Sequence, residues 1–196
     1  MAVIAQRKMS LEEYLIDDHG IETRHELVDG ALVEMGAENP LNPKIVMGLV
    51  AYFLQEMGVP YFRLAIGHQI GVSSSKATAR QPDLIVHSLE SDAAIMADGK
   101  LLRSGDAAPL LVVEVVSNSL KDKQSRDRDY AEKPLEYADR GIPEYWLIDP
   151  DRAWVRVGTL VNGTYQFQDF AGKQVIVSTT FPCLMLTAEQ VLTAGR

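Results

Sequence analysis

Cysteine is almost absent from this 196-residue sequence, in which Cys183 is the single example. One thiol cannot form an intrachain disulfide, and it excludes a zinc site built from several thiolates. The sequence also lacks an apolar run long enough to span a bilayer, and its opening residues contain no signal-peptide core. These absences predict a cytoplasmic protein that does not enter the membrane.

The sequence also has no excess of positive charge. It contains 19 Lys and Arg residues and 27 Asp and Glu residues, which gives a net charge of -8 at pH 7. This balance excludes a protein that coats nucleic acid by bulk electrostatics. It does not exclude an enzyme that contacts DNA locally. Acidic residues gathered around a divalent cation would contribute to the same balance.

The overall composition is that of a globular protein, with 46% hydrophobic and 23% charged residues over 196 positions. A chain of this length can bury a core without disulfides or a structural metal. No repeat of fixed period is visible. We therefore expect a single domain over residues 1–196.

Turn signals mark both ends of the chain. Ser10 and Glu13 have the spacing of a capping box, which predicts a short helix. Alternating apolar residues flank the dipeptides Asp29-Gly30 and Asn162-Gly163, and each dipeptide favours the tight turn of a β-hairpin. Hairpins are thus expected in the N-terminal and C-terminal parts.

The middle of the chain alternates between helical and strand patterns. Asn42 and Pro43 resemble the cap and first residue of a helix that ends near Gly58. The run 110–117 is continuously apolar apart from Glu114, as central strands are. Residues 144–149 are a second predicted buried strand, and a charged helix over about 122–140 joins the two. Two further expectations are a surface excursion at 89–109 and one or two strands in 174–186. The pattern predicts an α/β fold with a mixed central sheet flanked by helices.

Three predicted strands each carry one carboxylate in an apolar setting, namely Glu26, Asp83 and Glu114. Any one of them alone is more often a carboxylate satisfied by an arginine or by backbone N–H groups than a ligand. If Asp83 and Glu114 converge, however, a cation between them would let both ionise. Such oxygen donors suit Mg²⁺ or Mn²⁺.

Four stretches carry a resemblance to a known family: "HELVDGALVEM", "QPDLIV", "LLVVEVVSNS" and "YADRGIPEYWLIDP". In this order they resemble the Uma-two family of the PD-(D/E)XK restriction-endonuclease-like superfamily. The resemblance implies a restriction-endonuclease-like core and a Mg²⁺-dependent (or Mn²⁺-dependent) endonuclease that acts on DNA. It also implies that Asp83 and Glu114 hold the metal, that Glu26 supports them, and that the protein is a homodimer.

The lysine of the superfamily signature is missing from its usual place, which Val116 occupies. The resemblance implies that Lys133, on the following helix, takes the catalytic role, with Asp129 and Tyr137 one turn away on the same face. The alternative is a solvated Lys133 in a surface pair with Asp129. Pro134 directly follows the lysine and predicts a bend in the helix there.

Two alternatives concern the whole protein: a catalytically inactive nuclease-fold module that binds nucleic acid or protein, and a sheet that simply carries satisfied buried carboxylates. Asn42 stands where family members often have a histidine, and His68 receives no catalytic role. A basic group could contact phosphate or be neutralised by neighbouring aspartates. Its members are Lys121, Lys123, Arg126 and Arg128.

Overall fold

The computed structural model describes residues 8–16, 25–28, 30–34, 39–73, 77–117, 119–120 and 126–194. The helices in these ranges are α1 (Leu11–Ile16), α2 (Leu41–Gln55), α3 (Leu89–Asp98), α4 (Lys133–Asp139) and α5 (Ala188–Leu192), with a 3₁₀ turn at Tyr61–Arg63 and a π turn at Arg128–Glu132. The strands are β1 (His25–Val28), β2 (Ala31–Glu34), β3 (Leu64–Ala65), β4 (Gln69–Gly71), β5 (Ala77–Arg80), β6 (Leu84–Val86), β7 (Leu101–Leu102), β8 (Leu111–Val115), β9 (Glu144–Asp149), β10 (Trp154–Val161) and β11 (Thr164–Ala171). These elements confirm the predicted mixed α/β class. Within the same ranges, no helix combines the length and the apolar character that crossing a membrane requires.

The larger sheet has the strand order β11-β10-β9-β8-β6-β3. Its two central strands, β8 and β9, run parallel, and every residue of both is buried. Parallel neighbours need a crossover, because a tight turn cannot connect the end of one strand to the distant start of the next. The π turn and α4 form part of that crossover, as the sequence predicted.

Each face of this sheet covers its own hydrophobic cluster. On one face, α2 and α5 pack against residues that include Val113, Val115 and Trp146. On the other, Tyr137 of α4 packs against residues that include Val112 and Tyr145. Since side chains alternate along a strand, Glu114 lies on the α4 face.

A second sheet, with the order β2-β1-β5-β4-β7, divides the strands in a way that the alternation pattern did not show. Strands β3 and β4 are separated by only residues 66–68, yet they belong to different sheets. β1 and β2 form the predicted N-terminal hairpin, with Gly30 at φ +76°; Asp29 lies outside the described residues. The C-terminal hairpin turns at Asn162 and Gly163, whose φ values are +52° and +80°.

Two local expectations were wrong. Residues 89–98 form α3, which begins after Ser88, whose hydroxyl accepts a 3.0 Å bond from the Ser91 N–H. In the other case, residues 174–186 contain no strand, and the β pairing there is a single bridge between Val175 and Thr187. Residues 89–109 show little periodicity in the sequence, so the helix had no clear signal. In residues 174–186, apolar residues report burial rather than backbone pairing.

Helix α2 begins earlier than its cap signal suggested. Its first residue is Leu41, whose N–H donates to Asn39 Oδ1 at 3.0 Å. Asn42 therefore lies within the first turn and is not the cap. Its side chain is fully buried and points towards the end of β8.

Candidate active site

Glu114 lies near the end of β8 and is 4% exposed. Its two oxygens accept hydrogen bonds from different residues of the crossover helix: the Tyr137 hydroxyl donates to Oε1 at 2.6 Å and Lys133 Nζ donates to Oε2 at 2.8 Å. A buried carboxylate costs several kcal/mol unless it is paired and hydrogen-bonded. Lys133 supplies the ion pair, and Lys133 and Tyr137 together supply the hydrogen bonds.

Lys133 is as buried as its partner, with 3% of its side chain exposed. Besides Glu114, its ammonium contacts Asp129 Oδ1 at 3.1 Å. The predicted face made by Asp129, Lys133 and Tyr137 is therefore present, and it is turned towards the sheet. This burial excludes the alternative of a solvated surface pair.

Pro134 does not displace the lysine, because the helix widens just before it. The turn Arg128–Glu132 is a π turn, and the Lys133 N–H donates to the Arg128 carbonyl, five residues back. Lys133 keeps helical angles, with φ -56° and ψ -42°, and Pro134 occupies the first turn of α4, where its missing N–H costs little. The predicted bend thus takes the form of one wide turn, a feature common at functional sites.

Asp83 directly precedes β6 and is fixed to β8 by its side chain. Its Oδ2 accepts from the Val115 N–H at 2.7 Å, and its own N–H donates to the Val113 carbonyl at 3.1 Å. These bonds hold the Asp83 carboxylate beside the residue that follows Glu114. The structure therefore brings Asp83, Glu114 and Lys133 to one end of β8.

The hydroxyl of Tyr145 lies among the same carboxylates. Burial raises the pKa of Tyr145 well above its ordinary value, and the negative charges of Glu114, Asp129 and Asp83 raise it further. Tyr145 stays neutral and donates to the Asp129 carbonyl at 3.3 Å. It helps to hold the segment that carries Asp129 and Lys133.

A second ion pair, which sequence reasoning missed, ties α4 to the smaller sheet. Arg80, at the end of β5, is fully buried and binds Glu136 through two bonds of 2.7 and 3.0 Å. A further contact of 3.7 Å joins Arg80 to Glu132. Arg80 lies within the polar stretch "SSSKATARQ", so no burial signal marked it. The pair restrains the helix that carries Lys133.

Asn42 contacts the same strand end from the opposite face of the sheet. Its Nδ2 donates to the Val115 carbonyl at 3.2 Å and to Ser117 Oγ at 2.7 Å. A carbonyl can only accept, so this contact fixes which end of the amide is nitrogen. Asn42 Oδ1 is buried and has no hydrogen-bond partner among the residues that the structure describes.

The other residues singled out in the sequence are Glu26, the basic group and His68, and the structure does not bring them into contact with Glu114 within the described residues. Glu26 belongs to β1 in the smaller sheet, but its side chain lies outside the described residues, as do Lys121 and Lys123. Arg128 contacts Asp129 Oδ1 at 3.5 Å, which supports local neutralisation of that part of the basic group. His68 lies away from Glu114, with its Nδ1 at 3.1 Å from His87 Nε2, beyond the far end of β6.

The chemistry of the donor set fits Mg²⁺ or Mn²⁺. Asp83 and Glu114 offer carboxylate oxygens, and the described residues include no cluster of three or more His, Cys, Asp and Glu side chains around one point. A hard cation held by two carboxylates keeps several waters and takes further oxygens from a phosphate. Because a carboxylate has about four acceptor positions, the bonds from Lys133 and Tyr137 are compatible with cation binding.

Comparisons with known proteins agree with this architecture. The model of the Uma2 (Uma-two) family, described as "Putative restriction endonuclease", matches residues 11–189. A solved structure from Anabaena variabilis, described as "a putative nuclease belonging to DUF820", aligns with a TM-score of 0.69 and 16% identity, covering 96% of this chain and 99% of that one. At that identity the similarity concerns the fold, and it confirms the restriction-endonuclease-like core. A search of curated proteins found no match.

Proposed function

This chain belongs to the Uma-two family, and from that membership we propose that it is a metal-dependent nuclease that hydrolyses phosphodiester bonds of DNA. One observation carries the proposal: Lys133 Nζ lies 2.8 Å from Glu114 at the strand end where Asp83 binds the Val115 N–H. Three separate segments converge to make this arrangement. Carboxylates and a lysine at one strand end are the parts that the nuclease signature requires.

Asp83 and Glu114 would hold Mg²⁺ or Mn²⁺. When bound, such an ion lowers the pKa of a water and offsets the negative charge of a phosphate. The Lys133 ammonium adds a fixed positive charge beside Glu114, where negative charge develops on the phosphate during hydrolysis. Tyr137 and Lys133 each bind one Glu114 oxygen and so hold the carboxylate in a single orientation.

Glu26 has a supporting role in the proposal. Its strand, β1, pairs with β5, and β5 ends at Arg80, which binds the helix that carries Lys133. β1 is thus the direct neighbour of the strand that is linked to the site, which supports a role for Glu26. Glu26→Gln is expected to reduce cleavage less than substitution of Asp83 or Glu114.

The proposal is tested with Asp83→Asn and Glu114→Gln, which remove charge and keep shape. Nicking of a supercoiled plasmid with Mg²⁺ or Mn²⁺ should fall by about 100-fold or more in both variants. Glu90→Gln, at an exposed position on α3, is the matched control and should cleave like the wild type. Wild-type rates in the Asp83 and Glu114 variants would contradict the assignment.

An inactive nuclease-fold module is the alternative, and it is favoured by the fact that Lys133 and Tyr137 already satisfy Glu114. Binding of Mn²⁺ to the native state would raise its melting temperature by mass action. An increase in the wild type that disappears in Glu114→Gln supports the nuclease. No increase in either protein, together with no cleavage, supports the inactive module.

A further inference from the structure

Four side chains on the α4 side of the larger sheet form an aromatic–arginine surface: Tyr130, Trp154, Arg156 and Phe167. The Arg156 guanidinium lies over three of the rings, at 4.9 Å from the centroid of Trp154, 5.6 Å from Phe167 and 6.0 Å from Tyr130. Tyr130 and Trp154 meet edge to face at 5.7 Å. One guanidinium thus contacts three aromatic rings.

This surface remains accessible. Phe167 is 44% exposed, and 30% of the Arg156 side chain is exposed. Arg156 is nevertheless held in place, since it donates to both oxygens of Asp169 at 2.7 and 2.8 Å. A fixed planar group beside one exposed and two half-buried rings binds a flat ligand with little loss of side-chain freedom.

Trp154 and Arg156 of this surface lie at the same sheet end as the proposed site, and Phe167, opposite Gly158, lies two residues further from that end. Trp154, the first residue of β10, pairs with Asp149, the last residue of β9. Strand β9 runs parallel to β8, so its last residues lie beside the end of β8 that carries Glu114. With strands about 4.8 Å apart, β10 and β8 are separated by roughly 10 Å.

A second connection runs through the crossover. Tyr130 is adjacent in sequence to Asp129, which contacts Lys133. The Tyr130 hydroxyl donates to Asp149 Oδ2, and burial together with this bond raises the pKa of Tyr130 above its ordinary value. The ring is therefore a neutral part of the surface, anchored next to the segment that holds the lysine.

The charges of the surface are largely balanced. Arg156 is paired with Asp169, and Arg152 lies 3.6 Å from Asp149. On a protein of net charge -8, such a surface attracts phosphate only weakly. Stacking on rings and on a guanidinium is the chemistry that recognises unpaired bases, because a duplex hides the faces of its bases.

We infer that the aromatic–arginine surface stacks unpaired bases of a DNA strand and so places the neighbouring phosphodiester bond at the Asp83 and Glu114 end of β8. This inference rests on the proposed function for the choice of DNA as the ligand. It assigns the substrate class as single-stranded DNA or DNA with an unpaired segment.

The chain supplies its own probe, because it has only two tryptophans. Trp146 is fully buried and donates to Glu144, whereas Trp154 is half-buried at the surface. A single-stranded oligodeoxynucleotide of roughly 12 nucleotides, titrated with EDTA present so that no metal-dependent cleavage occurs, should quench Trp154 fluorescence. A blunt duplex of the same sequence should quench it less.

Two Phe167 variants and one Arg156 variant test the surface, with binding followed by fluorescence anisotropy of a labelled strand. Phe167→Ala, Phe167→Leu and Arg156→Gln should weaken single-strand binding by about 10-fold or more, since each removes a stacking plane. Trp154→Phe should keep most of the affinity and lose the quenching. Tyr61→Ala, at a 76% exposed aromatic outside the surface, is the control and should bind like the wild type.

Unchanged fluorescence of the wild type with the single strand, or wild-type affinity in both Phe167 variants, would overturn the inference. Glu114→Gln separates the inference from the proposed function, because it should bind the strand like the wild type and fail to cleave it. Single-strand binding without any wild-type cleavage would reject the nuclease and retain the surface. Cleavage without quenching would reject the surface and retain the nuclease.

Discussion

Lys133 and Glu114 form a buried ion pair of 2.8 Å across nineteen positions of sequence. The pair exists because the chain leaves β8 just after Glu114 and returns over the same face of the sheet as α4. Neither group tolerates burial alone, since an unpaired charge in a low-dielectric environment is costly. The two residues therefore depend on each other for stability as well as for the proposed chemistry.

Substitution of Lys133 by Met should leave Glu114 and Asp129 buried without the ammonium. We expect a loss of about 3 kcal/mol in the free energy of unfolding, measured with urea, and a cleavage rate at least about 100-fold lower in assays well below the melting temperature. Lys44→Met removes an exposed lysine of α2 and serves as the control. A Lys133→Met protein with the stability and activity of the wild type would contradict the assigned position and role.

Glu144 is a buried carboxylate to which we assign only a structural role. Its Oε1 accepts from Trp146 Nε1 at 2.6 Å, and its Oε2 accepts from side-chain and backbone donors of residues 178–180. Glu144→Gln would turn an amide group towards these donors and should destabilise the protein by about 2–3 kcal/mol. At a temperature where the variant is folded, plasmid cleavage should equal that of the wild type. A loss of cleavage as large as that of Glu114→Gln would show that burial alone misidentified the site.

His87 makes the protein less stable in acid. It is fully buried, with Nε2 at 3.1 Å from His68 Nδ1 and Nδ1 at 2.9 Å from Ser91 Oγ. Burial, followed by the charges of His68 and Arg63, lowers the pKa of His87 from 6.5 to about 4. The unfolded chain therefore takes up a proton near pH 6.5, which the folded chain accepts only near pH 4.

The stabilisation from neutral His87 is thus complete above pH 6.5 and is lost as the pH falls towards 4. We expect the wild type to lose on the order of 2–3 kcal/mol more than His87→Asn over this interval. Urea unfolding of both proteins at the two pH values measures the difference. Parallel losses in the two proteins would show that His87 does not titrate in this range.

Gly158 of β10 leaves room for two aromatic rings of the neighbouring strand β11. A Cβ at this position would lie 2.7 Å from Phe167 Cε1 and 3.1 Å from Tyr165 Cγ. Gly158→Ala should therefore destabilise the protein by about 1–3 kcal/mol through overpacking. In a double-mutant cycle with Phe167→Ala, the double variant should lose less than the sum of the single losses, because the clash disappears. Additive losses would show that the Phe167 ring is not the source of the strain.

Much of the architecture could be read from local signals. The capping box of Ser10 and Glu13 is present, with bonds of 2.8 and 3.1 Å, and the hairpin turns at the expected glycines. The buried strands β8 and β9 also lie where the sequence predicted buried strands. These features depend on a few neighbouring residues, so one sequence contains the information.

The candidate site was predictable only in part. The apolar strand patterns singled out Asp83 and Glu114, and the family resemblance added Lys133, with Asp129 and Tyr137 on its helical face. Arg80 had no such signal, and the burial of Asn42 was not predicted either, because both depend on contacts with segments distant in sequence, α4 and β8. Likewise, Glu144 and Glu114 are both carboxylates in buried strands, and only their partners distinguish them.

Periodicity and turn preferences are local, so the fold class, the turns and the residue types available for chemistry could be read from the chain before it folds. The three-dimensional fold set how the strands divide between two sheets and which carboxylate meets a lysine. It also decided that a π turn before Pro134 leaves Lys133 facing inward. The physical reason is that burial and charge pairing arise from contacts between segments far apart in the chain, and a one-dimensional pattern does not record those contacts.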